Sequence, residues 1–507
     1  MNRYFLTIVF TLICLPSLWS QTTILVKSAD TFKPGNVSGQ KVQKLIGNVH
    51  MIQENTNIYC DSAYMFSASN SATAFGHVRI FDAVDSLDLQ GEYMEYLGNI
   101  RLAKVRRNVI LKDDSTTLYT EFLDYDRNTG IGYYFNGGKL VDSLNVLTSV
   151  RGYYDSETKE AQFIDSVVLN SPDMYMETDT LYYSTISKDV ETRGRTQGIT
   201  PEADTLNTQV GLRYESLKKY SELYYGTIIT SEYEITGDTL IANDSLQYYQ
   251  GMQNVSMESF EDSLKIYGNQ VYYSEATGVA RAHDNAYLRK MMNGDSLFIK
   301  ADTLLSIQNE ADSTKYLSAY YNGQLYKSDM QARSDSITYN LSDSTIYMYR
   351  DPVIWNVDSQ ITADSIRITT AENKIDKMYM VQNSFVISQD TALNFNQVKG
   401  RDMVVLFDAG YIKRSDVFGN GESIYFAFDQ SNGTSSMNKL KCSNMSLYFE
   451  SNFVTELRTY REIDGKLIPA QEILDPERQL RGFTWRINEK PKLSDIIRAR
   501  EKRRYDR

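Results

Sequence analysis

The sequence predicts an all-β protein, an elongated stack of antiparallel strands built from short repeats, and three observations carry that prediction. A four-residue cassette (apolar, any residue, small, then acidic or amide) recurs roughly every thirty residues. Gly or Asn turns followed by alternating apolar residues precede many cassettes. Tyr reaches 38 while Pro is held to 8, a composition that suits pleated strands and turns.

The cassette is clearest as Ile299-Lys-Ala-Asp302, the end of the stretch that begins at Asp295. It recurs as Ile58-Tyr-Cys-Asp61, Leu89-Gln-Gly-Glu92, Leu118-Tyr-Thr-Glu121, Met176-Glu-Thr-Asp179, Ile241-Ala-Asn-Asp244, Ile266-Tyr-Gly-Asn269, Ala332-Arg-Ser-Asp335 and Ile361-Thr-Ala-Asp364. Weaker copies lie at Val150-Arg-Gly152, Gln209-Val-Gly211, Val398-Lys-Gly400 and Leu440-Lys-Cys442. In an extended strand the apolar and small residues, two apart, share one face and the acid points to the other. The cassette therefore reads as a strand with an inside and an outside.

The turn signals Gly47-Asn-Val49, Gly76-His-Val78, Asn108-Val-Ile110, Asn254-Val-Ser256 and Asn383-Ser-Phe385 read as strand starts, so each repeat holds at least two strands. Tyrosines follow many cassettes: Tyr64, Tyr96, Tyr125, Tyr154, Tyr182, Tyr248, Tyr272 and Tyr339. Ordinary cross-strand packing accounts for them without a dedicated ligand contact.

Residues 1–20 read as a secretory signal, with Arg3 before an apolar run from Tyr4 to Leu15, and a retained anchor is the alternative. Residues 21–205 and 206–399 form two blocks of repeats, separated by a blurred stretch from Gly194 to Tyr225 that contains Pro201 and Lys218-Lys219. Residues 400–466 are divergent terminal repeats. Residues 467–507 form a basic, partly helical or disordered tail, with a short helix over Asp495 to Arg500 capped by Ser494. A solvated helix of mixed charge and contact with an anionic partner are the two readings of that tail.

The chemistry of an enzyme is missing. The net charge of −12 argues against a nucleic-acid footprint. His50, His77 and His283 lack metal-ligand spacing, and no phosphate loop or nucleophile elbow is present, so neither a catalytic residue, a metal nor a cofactor is expected. The cassette acids recur in unit after unit, whereas a catalytic pair is needed once. Repetition points to structure, such as bonding turn amides or wetting the outer face. Cys60 and Cys442, both at the small inward position, read as buried small hydrophobes rather than a disulfide.

Gly47-Asn-Val49 followed by Ile58-Tyr-Cys-Asp61, with Tyr64 behind and Gly76-His-Val78 opening the next unit, resembles the repeat of the OstA-like (organic solvent tolerance) family. That family includes the periplasmic lipopolysaccharide-transport bridge, and the likeness is to its long Bacteroidetes-type members. The resemblance spans Gly47 to Tyr379 and continues weakly to Phe449.

It implies a twisted, V-shaped β-jellyroll (a β-taco) whose apolar groove holds lipid A acyl chains. It also implies a periplasmic, lipopolysaccharide-binding bridge that serves outer-membrane assembly. The inward apolar residues Ile58, Leu89, Leu118, Met176, Ile266, Ile299 and Ile361 are the groove candidates, lining either a trough or a filled core. Expected partners are lipopolysaccharide, other transport proteins with jellyroll edges at the inner and outer membranes, and further copies joined head to tail through strand edges. Lipid phosphates would sit at the trough mouth, met by Lys104-Val-Arg-Arg107 or by the tail. The rival reading is a secreted β-solenoid scaffold or adhesin with no lipid cargo.

Overall fold

A computed structural model describes residues 22–497, apart from 83–86, 144, 262, 293, 310–313, 357, 372–373, 391, 409–410, 430–433 and 451–452. The expected signal segment and residues 498–507, which include the end of the expected tail helix, lie outside the described residues. Thirty-eight strands are assigned among those described, and their pairings are antiparallel, as in the all-β jellyroll repeat expected. Chain contacts divide the protein between Arg193 and Gly194, inside the strand Val190–Ile199, whereas the sequence reading placed its boundary at 205/206.

In the first unit the strands are long and bent rather than short. Gly47-Asn48 lies inside the strand Gln40–Gln53, Gly76-His77 inside Ser71–Asp82, and Arg107-Asn108 inside Leu102–Asp113. These turn signals are therefore not strand starts. Each is a two-residue bulge, with a register shift between Ile46 and Val49, Phe75 and Val78, and Arg106 and Val109. Both bulge residues take the left-handed conformation: Gly47 and Asn48 at φ 78° and 47°, Gly76 and His77 at 71° and 39°, Arg107 and Asn108 at 65° and 48°. Bulges bend and twist the strand that carries them. Here they turn these long strands at a corner, so one half belongs to a first wall and the other half to a second. The same corner interrupts the chain between Ile131–Tyr134 and Gly138–Asp142 and between Asn145–Ser149 and Arg151–Asp155.

The cassette acid clamps this corner. Asp61 Oδ2 lies 2.8 Å from His77 Nδ1 and fills the space a Cβ on Gly76 would need. Asn48 Nδ2 donates to Asp30 Oδ2 at 2.9 Å, and Asn108 bonds both Glu92 and Glu121. The second unit repeats the device: Asn254 donates to Asp238 (2.7 Å), Asn322 to Asp302 (3.0 Å) and Asn383 to Asp364 (3.1 Å). Of the two structural roles expected for the acids, bonding at the neighbouring turn is what the geometry provides.

The same pattern corrects two cassette assignments. Leu240 and Ala242 face inward and Ile241 does not, so the corner unit is Ile235-Thr-Gly-Asp238, with Asp238 as the clamp. Val150 is exposed, and the inward pair there is Leu147 and Ser149.

In the second unit the chain ends as a strap. After the strand Asp464–Ile468 come single 3₁₀ turns at Ala470–Glu472, Asp475–Arg478 and Ile487–Glu489, then a four-residue helix, Leu493–Ile496. Leu480 packs on Phe385, Ile387, Ile424, Phe426 and Met437, while Ile496 and Ile497 pack on Tyr267, Tyr287 and Phe298. Two buried glutamines hold its backbone: Gln397 bonds Arg478 O and Leu480 N, and Gln360 bonds Thr484 O and Arg486 N, at 2.6 to 2.8 Å. Arg486 is paired with Glu489 and Asp351, both at 2.8 Å, so this tail cation is spent inside the protein.

Candidate functional site

The seven groove candidates fall into one row in each unit. Strand pairing aligns Met51, Ile58, Ile80, Leu89, Leu111, Leu118, Leu140, Leu147, Leu169 and Met176 directly across ten successive strand segments of one wall. At the usual inter-strand spacing this rail runs roughly 40 Å. In the second unit Met257, Ile266, Leu288, Ile299, Leu325, Ala332, Ile354, Ile361 and Val386 align in the same way. The rail arises because each strand half alternates in from out, and the bulge resets that alternation at every corner.

The rails are closed in. Ile58, Leu89 and Met176 are 0% exposed, Leu118 and Ile299 1%, Ile361 2% and Ile266 8%. Around Ile266 the interior leaves about 30 Å³, between Met257, Leu264, Tyr273 and Ala280, about the share of one water molecule. A groove of about 470 Å³ opens on the corner of the first unit, but Asn108, Glu121, Asn136 and Lys139 line it. In this state the two walls interlock along the rails.

Opposite the corner, the tips of the two walls are stitched together in the first unit by a seam that sequence reasoning missed. Gln53 Oε1 accepts from Tyr96 OH at 2.5 Å, and Arg101 pairs with Glu54. Asp82 Oδ2 accepts from Arg127 Nη2 at 2.6 Å. Asp113 accepts from Tyr154 OH at 2.7 Å and from Lys159 Nζ at 2.6 Å. Asp142 accepts from Tyr183 OH at 2.8 Å and is paired with Lys188. The three Asp side chains are 5%, 1% and 0% exposed and their cations 12%, 23% and 26%.

Each titrating partner feels its surroundings. Burial is the largest single influence on the Lys159 ammonium and lowers it, yet the hydrogen bonds and charges of Asp113 and Asp114 together outweigh it and the net shift is upward. Burial, joined by the Asp113 carboxylate, pushes the Tyr154 phenol up.

In the second unit the corresponding contacts are Tyr249 OH to Asp204 Oδ2, at 3.0 Å, and Lys315 Nζ to Glu261 Oε2, at 3.1 Å, with Glu261 largely in solvent. Burial, with a smaller push from Glu202, holds Asp204 above the usual carboxyl range against the opposing Tyr249 bond. Burial, then Asp204, do the same to Glu275.

The other residues singled out from sequence serve the frame. The cations Lys104, Arg106 and Arg107 sit on the outer face and at the corner, away from the seam, with Arg106 bound to Asp124 at 2.6 Å, while Val105 between them is buried. His50 stacks on Tyr59 at 4.5 Å. Cys60 and Cys442 are free and buried, and burial pushes the Cys60 thiol up to about 12. Among the described residues no cluster of His, Cys, Asp and Glu is arranged to hold a metal, and no helix is long and apolar enough to cross a membrane.

Two family models match the chain. Residues 21–179 match the model described as OstA-like protein. Residues 232–374 match the model described as LptA/(LptD N-terminal domain) LPS transport protein. No curated protein matches at a significant level. A similar solved structure is LptH, the LptA homologous periplasmic component of the conserved lipopolysaccharide transport device from Pseudomonas aeruginosa. It aligns over 23% of this chain and 82% of its own, at 14% identity and a TM-score of 0.21.

Proposed function

Because the chain belongs to the OstA-like family of lipopolysaccharide-transport proteins, we propose that it is a periplasmic bridge component that carries lipopolysaccharide from the inner to the outer membrane. The acyl chains lie between the walls, along the rails that contain Ile58, Leu89, Leu118 and Met176 in one unit and Ile266, Ile299 and Ile361 in the other. The observation that carries this reading is the continuity of the rails: an apolar strip of roughly 40 Å, unbroken across strands, suits a long flexible chain better than a compact ligand. Burying acyl carbons supplies about 0.8 kcal/mol per CH₂, so retention needs no chemical step and turnover none.

The strand edges are the docking elements of this reading. In the first unit Leu25 and Phe32 stand exposed on the edge strands Leu25–Ser28 and Thr31–Val37, and in the second unit Leu467 stands exposed on the edge strand Asp464–Ile468. A jellyroll edge of a partner, or of a second copy, would add strands there.

The closed interior favours a second reading, a cargo-free scaffold whose rails are simply core. Photoreactive residues at Leu89, Leu118 and Ile299, illuminated with lipopolysaccharide, separate the two. A carrier crosslinks from these positions and not from the outward neighbours Gln90, Tyr119 and Lys300. A scaffold crosslinks from neither set.

A further inference from the structure

Acyl chains can reach the rails of the first unit from the side only where the walls are not covalently continuous, and that line is the seam. Its charged groups are regular: Asp82, Asp113 and Asp142 end every second strand segment of one wall, roughly 10 Å apart, and each faces a cation from a hairpin of the opposite wall. A bond of this kind holds only while the walls touch, because the two partners belong to different walls.

The seam is also imperfectly satisfied. Arg127 Nη1 and Asp142 Oδ1 are two of the three buried side-chain polar atoms without a hydrogen-bond partner among the described residues. A buried guanidinium N–H with nothing to donate to is a costly arrangement for a core and a ready one for an anion. The cations, moreover, are less buried than the acids they hold, so an anion arriving from solvent meets them first.

We infer that the walls of the first unit part along this seam, and that Arg127, Lys159 and Lys188, released from Asp82, Asp113 and Asp142, take the phosphate groups of an acylated glycolipid whose chains lie on the rail. The inference rests on the reading that the cargo is acylated lipid. It replaces the corner cations Lys104 to Arg107 as the headgroup site, since those lie on the far side of the wall. With successive cations at matching intervals, a phosphate passes from one to the next as the chains slide beneath, which makes the seam a track as well as a clasp.

The test compares lipopolysaccharide with the same material after enzymatic dephosphorylation, and uses inorganic phosphate as a competitor. Full-length protein binds the phosphorylated form at least about tenfold more tightly, since one charge-assisted bond is worth that much. The paired variant Asp82→Asn, Arg127→Gln, Asp113→Asn, Lys159→Gln, Asp142→Asn, Lys188→Gln leaves no carboxylate of the three pairs buried alone and brings the ratio toward one. Lys159→Arg with Lys188→Arg keeps the ratio.

Equal affinity of the unaltered protein for the two lipids overturns the seam assignment, and so does a ratio that survives the paired variant. Competition by inorganic phosphate without crosslinking from Leu118 means a free anion is the ligand, which also overturns it. If neither lipid crosslinks from Leu118, it is the carrier reading itself that falls. If Leu118 crosslinks with both lipids equally, that reading stands and only the seam is lost.

Discussion

The two units share the corner and the rail but are finished differently, and the difference lies in where polar groups meet apolar surface. The first unit closes its inner edge with carboxylate–cation bonds and leaves the outer face of its rail wall bare, with Tyr59, Tyr119 and Tyr175 partly in solvent. The second unit has the bond Tyr249–Asp204 and a solvent-exposed pair, Lys315–Glu261, at the matching edge, and covers the outer face of its rail wall with the strap. One repeat thus yields a unit held from the inside edge and a unit held from the back. Parting the walls of the first breaks ion pairs; parting those of the second leaves the strap contacts in place, because they lie on a single wall.

The largest expected effect comes from breaking the inner closure of the first unit. Lys188→Ala strands the fully buried Asp142 and lowers that unit's stability by about 3–5 kcal/mol. Tyr249→Phe in the second unit removes one hydrogen bond and costs about 1 kcal/mol. Hydrogen exchange in the two sets of hairpins measures both, and equal losses erase the distinction.

The strap gives the next effect. Leu480→Ala, at a side chain 5% exposed, costs the second unit about 2–4 kcal/mol. Truncating the outward Tyr119 of the first unit costs about 0.5 kcal/mol or less. Trp355, buried in the wall, and Trp485, on Phe395 at 5.2 Å, report the second unit in urea titrations followed by fluorescence.

The smallest effect is a pH dependence confined to the second unit. Asp204 and Glu275 titrate above the carboxyl range when folded, among Glu202, Glu232, Asp244 and Tyr249. Folding therefore takes up protons. The stabilising contribution is full below the unfolded-chain value of about 4 and is lost as pH rises through the raised folded values. Asp204→Asn with Glu275→Gln flattens this dependence in the second unit, and a midpoint followed by Trp355 and Trp485 fluorescence that still falls from mild acid to neutral pH in the double variant contradicts the assignment.

The cassette was legible because its physical content is local. An inward pair two residues apart and a polar clamp at the corner leave a four-residue signature wherever all three coincide, as at Ile58 to Asp61. It misled at Ile241, where a chance apolar-small-amide run lay six residues past the true corner at Ile235 to Asp238. It also hid the bends: a Gly-Asn pair inside a strand looks the same in sequence as one before it, and only the pairing on both sides of Gly47 decides.

The seam was illegible for a different reason. Its partners are 41 to 47 residues apart, about one and a half repeats, because each bond joins the tip of one wall to the tip of the other. Comparing like positions in successive units cannot find such a pair, and Asp beside a hairpin is unremarkable. One trace was present: Tyr96, Tyr125 and Tyr154 fall at equal steps and the next member is Tyr183, where the sequence reading took the outward Tyr182.

The strap also fixes an order of events during synthesis. Lys300 Nζ donates to the backbone carbonyl of Asp495, a partner 195 positions further along the chain. The aromatic surface around Tyr267 and Phe298 is therefore made long before its cover, and stays sticky while the remaining residues emerge. A nascent chain in that condition is open to aggregation and is a natural client for chaperones until Leu493 to Ile497 arrive to cover it.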